Sequence, residues 1–127
     1  MENMSVLIID DEPDFLEMTK MALEMEGHKI ITATSGKEAI DLIKKNKPDM
    51  VFLDIKMPDM DGIETLRRIR EFDNKTPVIM VTAYGTIKNW QESIELKIHG
   101  YVPKGSPGDD TSKLMLKILK LYKKPRT

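Results

Sequence analysis

"VLIIDDEPD", residues 6–14, runs four apolar, mostly β-branched residues straight into three adjacent carboxylates, Asp10, Asp11 and Glu12. An apolar run without alternation suits a strand covered on both faces, as strands of parallel sheets are. The acids that follow then stand at the mouth of a buried strand. Like charges repel by roughly 4 kcal/mol per pair at 4 Å and an effective dielectric of 20, so a cation is expected to offset the cost.

Working outward, further apolar runs occupy residues 50–53, 78–81 and, more weakly, 30–33, with Tyr101 and Val102 as a fifth. Between them the apolar residues recur at helical spacing: Phe15, Met18, Ala22 and Met25; Ala39, Ile40 and Ile43; Ile63, Leu66 and Ile69. Ile87, Trp90, Ile94 and Ile98 predict a fourth helix, and Leu114, Ile118 and Leu121 a fifth. Pro13 suits a first helical turn, Gly27 follows the first helix, and Ser35 can cap the second with Glu38 three residues later. The order is (βα)5, which implies an α/β fold: a doubly wound parallel five-stranded sheet between helices, with right-handed crossovers. Ligands of such sheets bind beyond the carboxyl ends of the strands.

At 127 residues the chain is expected to form a single domain, 1–127, with a core over about 4–123 and a short basic tail. A net charge of -1 supplies no basic excess, which argues against direct nucleic-acid binding. The absence of cysteine removes disulfides and thiol chemistry, and no apolar run is long enough to span a bilayer. A cytoplasmic location and no membrane partner are expected.

Beyond the carboxyl ends lie Asp10 and Asp11 after strand one, Asp54 after strand three, Thr82 closing strand four, and Lys104 after strand five. Through "IIDDE", "VFLDIKMPDMDG", "IMVTAYG" and "YVPKG" the sequence resembles the receiver domain of two-component response regulators, across essentially the whole chain. Each motif alone is weak. Together, Asp54 and Thr82 lie 28 positions apart and Thr82 and Lys104 22 positions apart, which makes the set specific. The resemblance implies a flavodoxin-like sandwich with strand order 2-1-3-4-5.

It also implies a chemistry. Asp54 would be the nucleophile that becomes an aspartyl phosphate; a carboxylate, whose pKa in free peptides is about 3.9, needs no general base. Mg2+ would be held by Asp11, Asp54 and the backbone carbonyl of Lys56, with Asp10 direct or through water. Lys104 would pair with a phosphoryl oxygen and Thr82 would hydrogen-bond the same group. The implied switch draws Thr82 to the phosphate while Tyr101 turns inward, biasing the face of helix four, strand five and helix five. The implied partners are a sensor histidine kinase or a histidine phosphotransfer protein, a downstream target or an output domain outside this chain, and a second copy in a phosphorylation-dependent homodimer. The chain would catalyse only its own phosphorylation and dephosphorylation. Pro58 and Gly62 would shape the loop after the nucleophile, Gly62 by conformations closed to other residues, and Lys56 and Tyr84 would tune hydrolysis.

Other readings compete. A haloacid-dehalogenase-like phosphohydrolase shares the aspartate and magnesium but needs a DxD pattern after strand one, which "DDEPD" lacks. A flavin-binding module needs a Ser/Thr/Gly phosphate loop there. A pseudo-receiver serving only as an interaction module does not need every reactive position filled. The chain also departs from the family: Lys104 precedes Gly105 rather than proline, so a trans peptide is expected, and Lys97-Ile98 replaces the small pair that closes helix four, so that turn is expected to shift. Glu12 and Asp14 are assigned to the start of helix one. His28 and His99 are expected at the surface or a strand edge, and the lysines from Lys113 to Lys124 on a solvated face.

Overall fold

The computed structural model describes residues 3–83, 87–104 and 110–122, side chains at 87 and 88 excepted. The Lys104–Gly105 bond, Tyr84 and Lys124 lie outside the described residues. The elements alternate: β1 (Ser5–Ile9), α1 (Pro13–Met25), β2 (Lys29–Ala33), α2 (Gly36–Asn46), β3 (Met50–Leu53), α3 (Gly62–Phe72), β4 (Val78–Thr82), α4 (Ile87–Glu95), β5 (Gly100–Pro103) and α5 (Thr111–Leu121). All neighbours pair in parallel, in the order β2-β1-β3-β4-β5.

Alternate side chains of each strand point to opposite faces, and both faces are covered. On one side Leu7, Ile9, Val51, Leu53, Val78 and Met80 pack with Ala39, Ile43, Leu66 and Ile69 of α2 and α3. On the other, Val6, Ile8, Phe52, Ile79 and Val81 pack with Leu16 and Leu23 of α1 and Met115 and Leu119 of α5. This two-sided burial is why the apolar runs are unbroken. Truncating one such side chain to alanine is worth about 2 to 5 kcal/mol.

The buried stripe of α1 is Leu16, Thr19 and Leu23, while Met18 and Met25 are 71% and 86% exposed. That corrects the stripe through Phe15, Met18, Ala22 and Met25. In α5, Thr111, Met115 and Leu119 are buried and Leu121 is exposed, shifting the expected face by one position. Both helices carry apolar residues on adjacent stripes, and the sheet selects one. Lys113, Lys117 and Lys120 are exposed, as expected.

The second helix begins as its sequence suggests: Ser35 Oγ accepts from the Glu38 N–H at 3.2 Å, and Glu38 reaches back to the Thr34 N–H at 2.9 Å. Helix α4 ends at Glu95, short of Ile98. Lys97 takes the left-handed conformation (φ 61°), its N–H donating to Ile94 O and that of Ile98 to Ser93 O. These are the bonds of a Schellman closure, with lysine where glycine is usual. Neighbouring Arg70 braces this closure. Its guanidinium donates to Leu96 O at 2.9 Å and to Lys97 O, Asp73 O and Thr76 O, each at 3.0 Å.

His28 is only 4% exposed, contrary to expectation. Its Nδ1 accepts the Met4 N–H at 3.1 Å, which turns the ring inward between the starts of β1 and β2, and burial lowers its pKa. His99 is exposed and meets Tyr122 edge-on.

Candidate functional site

Register alone brings the carboxylates together. Ile9 pairs with Leu53, so Asp10 and Asp54 leave neighbouring strands side by side; Thr82 pairs with Pro103, so Lys104 follows one step beyond. Backbone bonds continue past the strands, from Asp54 N to Ile9 O at 3.0 Å and from Lys104 N to Thr82 O at 3.1 Å. The side chains of Asp10, Asp54 and Thr82 are buried, and that of Lys104 is 10% exposed.

Gly62 matters here through space rather than torsion. Its φ lies outside the left-handed region, where Gly27 (φ 92°) sits. A Cβ at Gly62 would fall 2.0 Å from the Asp54 carbonyl oxygen and 2.7 Å from Ile55 Cα. This corrects the conformational role expected for it: α3 starts directly against the backbone that carries Asp54, and the Gly62 N–H donates to Ile55 O at 2.7 Å. The intervening loop turns at Asp59 (φ 67°), a residue type that tolerates this region.

The Lys104 ammonium lies 2.8 Å from Asp10 Oδ2, 2.6 Å from Glu12 Oε1 and 3.7 Å from Asp54 Oδ2. It also sits 4.4 Å from the centre of the Phe15 ring. Burial pulls the lysine's pKa down, but bonds to Asp10 and Glu12 outweigh it, and the pKa is pushed up to about 12. Burial drives Asp54 the other way, with help from the Asp10 charge, to about 6. Lys104, the Thr82 hydroxyl and the Lys56 backbone N–H oppose that rise. Asp10 is likewise raised by burial, against its bonds to Lys104 and the Glu12 N–H. Asp54 therefore ionises far less readily than a free carboxyl, though it remains mostly ionised at neutral pH.

Asp54 Oδ1 is buried without a hydrogen-bond partner among the described residues. Carboxylate oxygens of Asp10, Asp11 and Glu12 lie within 4.8 Å of one another. An all-oxygen donor set with more negative charge than Lys104 balances suits a hard divalent cation such as Mg2+. Glu12 is the N-cap residue of α1, as expected, but its side chain makes no cap bond and turns to Lys104 instead. Phe15 belongs to none of the sequence motifs, although it stands one helical turn beyond Glu12. Tyr101 is half-buried and packs edge-on against Trp90, ring centres 5.4 Å apart.

The family profile of the response regulator receiver domain matches residues 6–117. The chain belongs to the response regulator receiver family. This receiver is 41% identical over 96 residues to sporulation initiation phosphotransferase F of Bacillus subtilis, 76% of this chain and 77% of that protein. It is 34% identical over 116 residues to the regulatory protein AtoC of Escherichia coli, 91% of this chain but 25% of AtoC, so the receiver spans about a quarter of that relative. The crystal structure of a CheY-like response regulator receiver domain protein from Methanospirillum hungatei superposes with a TM-score of 0.85 at 29% identity, covering 94% of each chain. Among the described residues of the receiver, no helix is long and apolar enough to cross a membrane.

Proposed function

We propose that this receiver is a phosphoacceptor in which the Asp54 carboxylate takes a phosphoryl group from a sensor histidine kinase or a histidine phosphotransfer protein. The observation that carries this is the placement of Asp54: buried beside Asp10, 3.7 Å from Lys104, with Oδ1 unpartnered among the described residues. A bond forms between an Asp54 oxygen and phosphorus as the bond from phosphorus to the donor's imidazole nitrogen breaks, and the imidazole leaves neutral or takes a proton from water. Asp10, Asp11, Asp54 and the Lys56 carbonyl are the residues to hold Mg2+, which when bound neutralises charge around the transferring group. Lys104 turns its ammonium to a phosphoryl oxygen and Thr82 its hydroxyl, and both contacts strengthen as charge spreads over that group.

The Thr82 hydroxyl, bonded to Asp54 before transfer, moves to the phosphoryl group, and Tyr101 follows inward. The output is a changed face of α4, β5 and α5, read by a downstream protein, an output domain or a second copy. The receiver acts in the cytoplasm, as one domain that turns over only its own phosphoryl group. Incubation with Mg2+ and acetyl phosphate, followed by intact-mass measurement, tests the central step. Wild type gains one phosphoryl mass and Asp54→Asn does not; an unmodified wild type overturns the reading.

A further inference from the structure

The family resemblance places a proline after the site lysine, whereas residue 105 is glycine, which fixes no φ. The aim of the Lys104 ammonium must then come from contacts of its own side chain. A lysine is a point charge on a flexible four-carbon stem, and holding it in one place costs entropy unless its surroundings define that place. Three of those surroundings are carboxylates: Asp10 and Glu12 within hydrogen-bond distance, and Asp54 farther off. Another, among the described residues, is the Phe15 ring.

We propose that Phe15 is a positioning residue for Lys104, its ring face forming a rigid apolar wall that keeps the ammonium at the mouth of the sheet beside Asp54. The proposal rests on the reading of Asp54 as phosphoacceptor. Phe15 comes from the first turn of α1 and packs against the core cluster built from Val6, Ile8 and Phe52, so the ring is fixed from behind. Its negative face attracts the cation. Glu12 is exposed, so its bond to the ammonium is open to solvent, whereas the ring is held by the core behind it. Because the ring holds the ammonium without neutralising it, the positive charge stays available to an incoming phosphoryl oxygen.

Phe15→Leu keeps apolar bulk and removes the ring face; Phe15→Tyr keeps the face; Phe15→Met is a second ring-less variant should the leucine fail to fold. In the full chain without metal, the Lys104 ε-methylene protons are expected upfield in wild type and Phe15→Tyr through the ring current, with that shift lost in Phe15→Leu. With Mg2+ and acetyl phosphate, the phosphorylation rate is expected to fall about threefold to tenfold in Phe15→Leu and Phe15→Met and to stay within about twofold in Phe15→Tyr. An unshifted wild-type methylene, or equal rates in wild type and the ring-less variants, overturns the proposal. Equal slowing in Phe15→Tyr also overturns it, since packing alone would then explain the effect. A wild type that takes no phosphoryl group fails the Asp54 reading instead, and the methylene shift then decides whether the ring holds the ammonium.

Discussion

Arg70 and Lys104 are both buried cations, held near opposite ends of the strands. Arg70, 8% exposed, spends its planar fork on four backbone carbonyls, at Leu96, Lys97, Asp73 and Thr76. Those acceptors are fixed dipoles without net charge, and they take up four of the fork's five N–H donors. Lys104 faces Asp10, Glu12 and Asp54, more carboxylate than one ammonium balances, and Asp54 keeps an unpartnered buried oxygen among the described residues. A cation that serves architecture is closed off by its neighbours. The cluster around Lys104 is under-neutralised, which is the condition for binding a cation.

The largest effect expected from this contrast is at Arg70. Removing the fork strands up to four carbonyls that join the end of α3, the turn before β4 and the closure of α4. Arg70→Ala is expected to lose about 3 to 4 kcal/mol of stability in urea unfolding, the range for breaking a buried, hydrogen-bonded charge. Arg70→Lys recovers less than half, because an ammonium has three donors and no planar fork. Phosphorylation of the folded fraction is unchanged. A cost below about 1 kcal/mol would mean that the four bonds are not held in solution, and the contrast would fail.

The next effect is a pH dependence that marks the site as under-neutralised. The folded pKa of Asp54 is raised from 3.8 to about 6, so the fold favours its protonated form. As pH falls through about 6, the native state takes a proton that the unfolded chain takes only near 3.8; stability from this group therefore rises on acidification and is lowest above 6. In metal-free buffer Asp54→Asn is expected to be more stable than wild type at pH 7 by on the order of 2 to 3 kcal/mol, the gap closing towards pH 4. His28, with its pKa lowered, acts oppositely: its stabilisation is present above 6.5 and is lost as pH falls. It is common to both chains and cancels in their difference. Parallel stability curves for the two proteins would show that Asp54 carries no stored repulsion.

These two regions were not equally legible in the sequence. Asp10, Asp54, Thr82 and Lys104 could be found because each follows an apolar run, and parallel pairing then brings strand ends together. Glu12 and Phe15 were half legible: their spacing puts them one turn apart on α1, but nothing before the fold says that Lys104 arrives between them. Arg70 was not legible at all. Its partners are carbonyls, which every residue has, and two of them lie 26 and 27 positions away. The same blindness affected α1 and α5, where apolar residues fill adjacent stripes and only packing against the sheet decides which is buried.

The smallest expected effect is spectroscopic and sets the two regions against each other. Trp90 is the chain's one tryptophan, half-exposed on α4 and edge-on to Tyr101 of β5. Arg70 holds the far end of α4 through Leu96 and Lys97, so a rearrangement of that face is borne by the end nearer Thr82, where Trp90 lies. If the Thr82 hydroxyl leaves Asp54 for a phosphoryl group and Tyr101 turns inward, the ring pair parts and Trp90 changes surroundings. Adding Mg2+ and acetyl phosphate is expected to shift the tryptophan emission in wild type but not in Asp54→Asn. Thr82→Ala should gain the phosphoryl mass yet show less than about half of the emission change, because the hydroxyl that links the two events is gone. A full emission change in phosphorylated Thr82→Ala would separate Tyr101 from Thr82. It would also mean that the charge cluster reaches the α4 face by a route that bypasses the hydroxyl.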